Sequence, residues 1–372
     1  MSQAAKKILH VFSSLEVGGT QRRFAEYMAQ TKTAIEHSVY AMDGNYEVLK
    51  LIDGLAPLGG GASLIKKGNT LKAAFACRRI LKNERPDLLV TYNWGAIEWA
   101  MANRFFPICP MIHIQDGFTS DEVTAEIPAR RRLRRLIYRG CRAVVVPSMV
   151  LEKHAQNHWH IDRTKLRFIP NGIDINRFIC PEKSDLAKSL GIDINKKIIG
   201  TVAGLRPEKN IGRLIEAFSA VEDQHPDSQL VIIGDGVGRA ALTMLADRVC
   251  RKNNVIFTGN LPNPEHLYPI FDIFALSSDS EQMPLSVIEA MACGLPIAST
   301  NVGDVASMVA EQNRPYVTGK DAEMLKSSLV ELIKTPDVAN RIGALNQHKA
   351  KKIYSLAEMI NAYDQLFAEA CG

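Results

Sequence analysis

The sequence predicts an α/β protein built from two doubly wound, Rossmann-like domains. Three observations predict it. Short apolar, β-branched runs alternate with helical patterns from end to end, as parallel sheets wrapped by helices require. The runs form two successive series, separated by a polar, non-periodic stretch that Pro170, Gly172, Pro181 and Gly191 punctuate. The chain's 372 residues also exceed the size at which a single core stops growing.

Taken in order, the first-series strands are expected at 7–13, 38–42, 88–92, 111–114 and 143–147. The second series is expected at 198–203, 229–234, 255–258, 273–276 and 296–299. The expected domains are residues 1–175 and 176–354. Residues 355–372, with Leu356, Met359, Ile360, Tyr363, Leu366 and Phe367 at helical spacing, form a closing helix.

Composition narrows the class. A hydrophobic fraction of 46% and a charged fraction of 23% describe a soluble, core-forming chain. The first apolar run stops at Glu16, Gly18 and Gly19, too early for a signal sequence or membrane span, so a cytosolic location is expected. The seven cysteines are scattered and never spaced C-x-x-C, which indicates reduced thiols rather than a disulfide framework or zinc knuckle. The net charge of +5 is uneven: residues 1–175 hold 25 Lys+Arg against 16 Asp+Glu, and the remainder 20 against 24. Much of the excess comes from Arg130, Arg131, Arg132, Arg134 and Arg135. That run reads either as a dock for anionic lipid headgroups or a phosphorylated acceptor, or as a solvated arginine-rich helix. No nucleic-acid partner is expected.

Ligands in open α/β sheets bind beyond the carboxyl ends of the strands, so the residues after each strand carry the information. After the first strand, Gly18 and Gly19 precede a helix and let backbone N–H groups approach an anion, though such a turn also serves plain chain geometry. Their spacing is not G-x-G-x-x-G, which argues against a nicotinamide dehydrogenase. After the first strand of the second series, the loop from Gly204 carries Arg206 and Lys209 to a helix start, where two cations jointly suit a diphosphate. The turns at Gly234 and at Gly259 to Leu261 expose backbone for a flat base or a phosphate.

The stretch SEQMPLSVIEAMACGLP completes this edge. Pro284 is expected in a first helical turn, and the N–H groups near Met283, Leu285 and Ser286 form an anion site. Glu281 and Glu289 are eight positions apart. Within one helix that is about 12 Å, too far to share a proton and suited to two ends of an extended ligand. Phosphates flanked by hydroxyl-bearing sugars fit such an edge, so the expected ligand is a nucleotide sugar. His154 and His158 have a spacing that can bind zinc, but no Glu follows His154 and no further ligand lies between them; no metal site is expected.

These residues resemble the retaining glycosyltransferases of the GT-B fold, family 4 (glycosyl transferases group 1). The resemblance rests on Glu281 and Glu289 with Glu-Ala-Met-Ala-Cys-Gly-Leu-Pro from Glu289 onward, the loop of Gly204, Arg206 and Lys209, the linker from Pro170 to Asp174, and Gly234-Asp235-Gly236. It implies two Rossmann-like domains facing a central cleft, the second binding a nucleoside diphosphate sugar as donor substrate, without a cofactor. It further implies that Arg206 and Lys209 hold the diphosphate, Glu281 the sugar hydroxyls and Glu289 the ribose, with Gly18 and Gly19 approaching from the acceptor-side domain.

Many members carry a His where this chain has Gln115; His113 and Asp116 are the neighbours left to face the reacting carbon, and Asp116, beyond the strand end, is favoured, a core-satisfied His113 being the plain alternative. The implied reaction moves a sugar to a lipid-linked or polysaccharide acceptor with retention, leaving-group stabilisation coming from cations and a helix end. A sugar-nucleotide epimerase of the same architecture and a degenerate sugar-nucleotide-binding protein are the rival readings.

Overall fold

The structure, a computed structural model, describes residues 5–31, 33–55, 57–58, 65, 70–118, 120–122, 125–179 and 184–372. The chain divides into two compact units: Met1–Asn171 with Leu356–Gly372, and Gly172–Ser355. The division falls a few residues before the expected domain end at 175, because the backbone N–H of Ile173 donates to Tyr354 O (3.0 Å) and ties the linker to the second unit. Cys180 and Pro181 of the expected linker lie outside the described residues.

The first unit has strands β1 (Lys7–Phe12), β2 (Glu36–Ala41), β3 (Leu88–Tyr92), β4 (Met111–Ile114), β5 (Ala143–Val146) and β6 (Leu166–Phe168). All pair in parallel, in the order β2-β1-β3-β4-β5-β6. Helices α1 (Gly19–Gln30), α2 (Thr70–Glu84), α3 (Ile97–Phe105), α4 (Pro128–Tyr138) and α5 (Met149–Asn157) connect them. Alternation along each strand divides its side chains between two cores: Leu9, Val11 and Leu89 face α2 to α5, whereas Ile8, Phe12, Leu88 and Val90 face α1. Burial on both faces is why these strands read as continuous apolar runs.

The second unit begins with α6 (Ile175–Phe178) and α7 (Ser184–Ser189). Its strands are β7 (Lys197–Val202), β8 (Ser228–Ile233), β9 (Val255–Gly259), β10 (Ile273–Leu276), β11 (Ile297–Thr300) and β12 (Val317–Thr318). They too are all parallel, ordered β12-β11-β10-β7-β8-β9. Helices α8 (Ile211–Glu222), α9 (Arg239–Val249) and α12 (Ala322–Lys334) cover one face. Helices α10 (Leu285–Ala292) and α11 (Val305–Met308) cover the other, and α13 (Pro336–Ile353) contributes to both cores.

The last helix, α14 (Leu356–Cys371), returns to the first unit. Its apolar stripe of Met359, Ile360, Tyr363 and Phe367 is buried with Phe24 and Tyr27 of α1, covering a sheet face that would otherwise be wet. Phe367 is 1% exposed. Replacing Phe367 by Ala is expected to cost about 3–5 kcal/mol in chemical denaturation, against under about 0.5 kcal/mol for Met244→Ala on the exposed face of α9.

Candidate active site

In the second unit the strand order reverses between β7 and β10, so the loops leaving their carboxyl ends diverge in opposite directions. Such a switch point leaves a crevice at the sheet edge. The β7 loop carries Arg206 and Lys209, and the β10 loop carries Ser278 and Glu281. Lys209 Nζ donates to Glu281 Oε1 at 2.6 Å, and Ser278 Oγ donates to the same oxygen at 2.7 Å. With side-chain exposures of 17% and 10%, Lys209 and Glu281 form a largely desolvated pair. Arg206 differs: it is 62% exposed and meets Glu208 at 2.9 Å, a surface pair that contributes little and gives way readily to a ligand anion.

Three side chains that the sequence did not single out hold this edge together. Asn210 adopts a left-handed backbone conformation (φ 43°), caps α8 by accepting from Arg213 N, and donates to Asp279 Oδ2 at 2.9 Å. Arg213 donates to Ser277 O and to Asp279 Oδ1, both at 2.7 Å. Although burial pushes the Asp279 carboxyl up, the bonds from Arg213 and Asn210 outweigh it and hold the group below its ordinary value. Asparagine before a helix is a readable cap signal; the Arg213–Asp279 pair spans 66 residues and has no local signature.

Helix α10 begins one residue later than expected, with Pro284 as its N-cap rather than inside its first turn. Proline supplies neither a side-chain cap nor an N–H, so the first-turn amides of Leu285 and Ser286 are left for water or a ligand. Met283 is buried beneath this turn, and Leu261 packs against the same core. Gly303, in the loop after β11, stands directly behind Glu281: a Cβ there would lie 2.5 Å from Glu281 O.

Glu289 emerges one turn into α10 and accepts from the Tyr268 hydroxyl at 2.5 Å. Burial, reinforced by the Glu289 charge, raises the Tyr268 hydroxyl well above its ordinary value, so it remains a donor at neutral pH. Sequence reasoning missed Tyr268, whose position before a strand looks like ordinary core.

Behind these loops, Gly234 has φ 134°, and a Cβ on it would stand 2.0 Å from Ala203 O. No such crowding exists at Gly204, which has space for a side chain.

In the first unit the order reverses between β1 and β3. Gly18 is the N-cap of α1, and a Cβ at Gly19 would meet open space. Asp116 follows β4, where its N–H donates to Asn93 Oδ1 at 2.8 Å. Its carboxylate is gripped by the buried Arg23: Nη2 donates to Oδ2 at 3.0 Å, and Nη1 lies 2.6 Å from Oδ1 in ion-pair contact. Arg23 also donates to Asn171 Oδ1 at 2.6 Å, fixing the end of this unit's chain segment.

His113 leaves the set of catalytic candidates. It is fully buried, its Nε2 lies 3.1 Å from the acceptor Gln115 Oε1, and its Nδ1 accepts from Thr91 Oγ1 at 2.8 Å. Burial pushes its pKa down to about 4, so it is neutral core, stacked on Tyr138 at 4.1 Å. Gln115 is core as well, accepting from the Tyr138 hydroxyl.

The arginine run forms α4, but its charge is partly spent internally. Arg134 is buried against Glu122 and Glu126, both at 2.6 Å, and Arg130 meets Asp121 at 2.7 Å. His154 of the i, i+4 pair is engaged by Glu126 at 3.0 Å.

With this geometry in view, the profile of the glycosyl transferases group 1 matches residues 182–349, and that of glycosyltransferase family 4 matches residues 17–177. The chain belongs to the family 4 glycosyltransferases of GT-B fold. Among relatives, this family member is 24% identical over 275 residues to a D-inositol 3-phosphate glycosyltransferase of Segniliparus rotundus, covering 70% of this chain and 61% of the other. It is 32% identical over 188 residues to a GDP-mannose-dependent monoacylated phosphatidylinositol monomannoside mannosyltransferase of Corynebacterium glutamicum, covering 47% and 49%. The chain thus spans about half to three fifths of the length of these relatives. Anabaena HepE in complex with UDP shares the fold, with a TM-score of 0.80 at 17% identity, covering 98% of this chain and all of that one.

The Gly234 geometry gives the test of the loop scaffold. Gly234→Ala is expected to lower stability by about 2 kcal/mol or more, whereas Gly204→Ala leaves the denaturation midpoint within experimental error.

Proposed function

We propose that the protein transfers a sugar, with retention of configuration and without a metal ion, from a nucleoside diphosphate sugar to a lipid-linked or polysaccharide acceptor. The observation that carries this reading is the meeting of Lys209 and Glu281 at the β7/β10 switch point, beside the uncapped start of α10. A diphosphate brings negative charge to that point, where Arg206, Lys209 and the Leu285 and Ser286 amides supply positive charge and N–H donors.

Glu281 is already positioned through Oε1, which leaves Oε2 to accept from sugar hydroxyls. Glu289, steadied by Tyr268, takes the ribose hydroxyls. As the sugar–phosphate bond breaks, charge grows on the departing nucleoside diphosphate, and fixed cations and amide dipoles favour that state over the bound substrate. The acceptor hydroxyl attacks the sugar carbon from the leaving-group side, and its proton passes to the departing phosphate oxygen. Asp116, neutralised by Arg23, is assigned a role in shaping the acceptor side rather than as a free base.

Support for a nucleotide sugar comes from the UDP bound by HepE, and support for a lipid-linked acceptor from the phosphatidylinositol mannoside named for the Corynebacterium relative. The two differ in base, UDP against GDP, so the base is left to experiment. Among the described residues no helix is long and apolar enough to cross a membrane. A lipid-linked acceptor would accordingly be met at the membrane surface.

Two measurements test the reading. In a thermal-shift screen with uridine, guanosine and adenosine diphosphate sugars, one donor is expected to raise the midpoint with concentration. Glu281→Gln is expected to weaken the response to that sugar nucleotide more than to the bare diphosphate; no response to any donor sinks the proposal. With the donor found, Arg206→Ala is expected to fold normally and lower kcat by about 10²–10³. Unchanged turnover would remove Arg206 from the leaving-group site.

A further inference from the structure

At the amino-terminal edge of the first sheet, opposite the loop that carries Asp116, the end of α3 and the segments entering β4, β5 and β6 enclose an open cavity of about 630 Å³. Three cations line it: Arg104 in the last turn of α3, Arg142 just before β5 and Lys165 just before β6. Local structure holds the cavity in shape. Asn103 fixes one wall, donating to Cys109 O at 2.8 Å and accepting from Ile108 N at 2.9 Å. Arg104 lies across Gly140, where a Cβ would stand 2.0 Å from the Arg104 Cδ. Glycine at 140 thus gives this guanidinium its seat.

Charge decides what the cavity takes. Among the described residues none of the three cations pairs with a carboxylate, and each donates one side-chain hydrogen bond to a main-chain carbonyl: Arg104 Nε to Leu136 O at 3.2 Å, Arg142 Nη2 to Glu369 O at 2.8 Å and Lys165 Nζ to Arg139 O at 2.7 Å. Carbonyls orient a cation without neutralising it. Two of these carbonyls lie at the end of α4, which brings only about half a negative charge against three positive ones. Asp162, the acid nearest to Lys165 along the chain, turns Oδ1 to the Thr164 amide and hydroxyl at 2.8 and 2.7 Å. By contrast, Arg23, Arg130 and Arg134 of the same unit each meet a carboxylate. The cations also converge: Lys165 and Arg104 both act on the Cys141 thiol, which burial nonetheless pushes up to about 12.

Guanidinium forks and an ammonium set about one small space suit a phosphoryl group, whose oxygens accept from several directions at once. We propose that this cavity is a further anion site, which takes a small molecule carrying one or two phosphoryl groups. Reaction in open α/β sheets takes place beyond the carboxyl ends of the strands, so an occupant of the amino-terminal edge is bound rather than turned over. It ties α3 to the strands β5 and β6 and, through Arg142 and Glu369, to the end of α14. The inference does not rest on sugar transfer, and either can fail alone.

Inorganic pyrophosphate is the probe, titrated into the whole chain in a calorimeter and placed by hydrogen–deuterium exchange. Exchange is expected to slow at least about fivefold at 103–111, 139–142 and 165–167, and less so as salt rises. Arg104→Gln/Lys165→Gln is expected to weaken the binding read at those segments about tenfold or more. Gly140→Ala removes no charge but crowds Arg104 off its seat, and is expected to weaken it about fivefold. Arg131→Gln/Arg132→Gln, which lowers the charge of the same unit elsewhere, is expected to leave it within about twofold, and Arg206→Ala to leave these three segments protected. Protection confined to the loops of Arg206 and Glu281, no protection, or protection that survives both the Arg104→Gln/Lys165→Gln and the Gly140→Ala variants overturns the proposal. So does equal weakening by the α4 substitutions.

Discussion

The ligand edge of the second unit depends on one constraint, the reversal of strand order between β7 and β10. Parallel strands send all their carboxyl-end loops to one edge, and the reversal sends two of those loops apart, so backbone there is not covered by the next crossover. Lys209 and Glu281, 72 residues apart in sequence, become neighbours only because β7 and β10 are adjacent. Once adjacent, they are largely shielded from water, and a carboxylate or ammonium shielded in that way is tolerable only when paired. The pair in turn needs its backbone fixed, which Asn210, Arg213 and Asp279 do by lacing the two loops together.

What could be read from the sequence follows the range of the interactions. Ten strands were legible within one or two residues at each end because burial on both faces writes a local apolar run. Strands β6 and β12 were not, since three and two residues at a sheet's edge are too few to show a pattern. Arg206, Lys209, Glu281 and Glu289 could be singled out as candidates because they follow strands or lie about the start of a helix, and the structure brings Lys209 and Glu281 together. Tyr268, Arg213 and Gly303 were hidden because each acts on a residue that the fold, not the local chain, brings to it. The choice between His113 as core and as catalytic candidate stayed open for the same reason: only the packed sheet shows that Thr91 and Gln115 occupy both of its ring nitrogens.

The arginine run shows the same limit for charge. Five arginines in six positions read as an exposed basic face, yet Arg134 is closed in by Glu122, Glu126 and the rings of Trp94, Phe118 and Trp159. A buried guanidinium needs its acids close by, so the carboxylates of the segment just before α4 answer the arginines within it. On α2, by contrast, Lys72, Arg78, Arg79 and Lys82 share the helix with one acid, Glu84, and with the exposed Leu71 and Phe75.

Net charge therefore does not locate the anion site. The first unit holds most of the chain's excess positive charge, but at its own switch point the buried cation, Arg23, is already matched by Asp116 and held by Asn171. A diphosphate arriving there would have to displace an ion-paired and hydrogen-bonded partner from a desolvated pair, which costs more than it returns. The second unit is the more acidic half, yet its edge offers the exposed Arg206, whose half-buried surface partner Glu208 is given up at little cost. It also offers Lys209, pre-set by Glu281, and a helix start whose amides have no cap. Under the proposed reading, placement and the cost of freeing each cation, rather than the number of cations, favour the second unit for the phosphates.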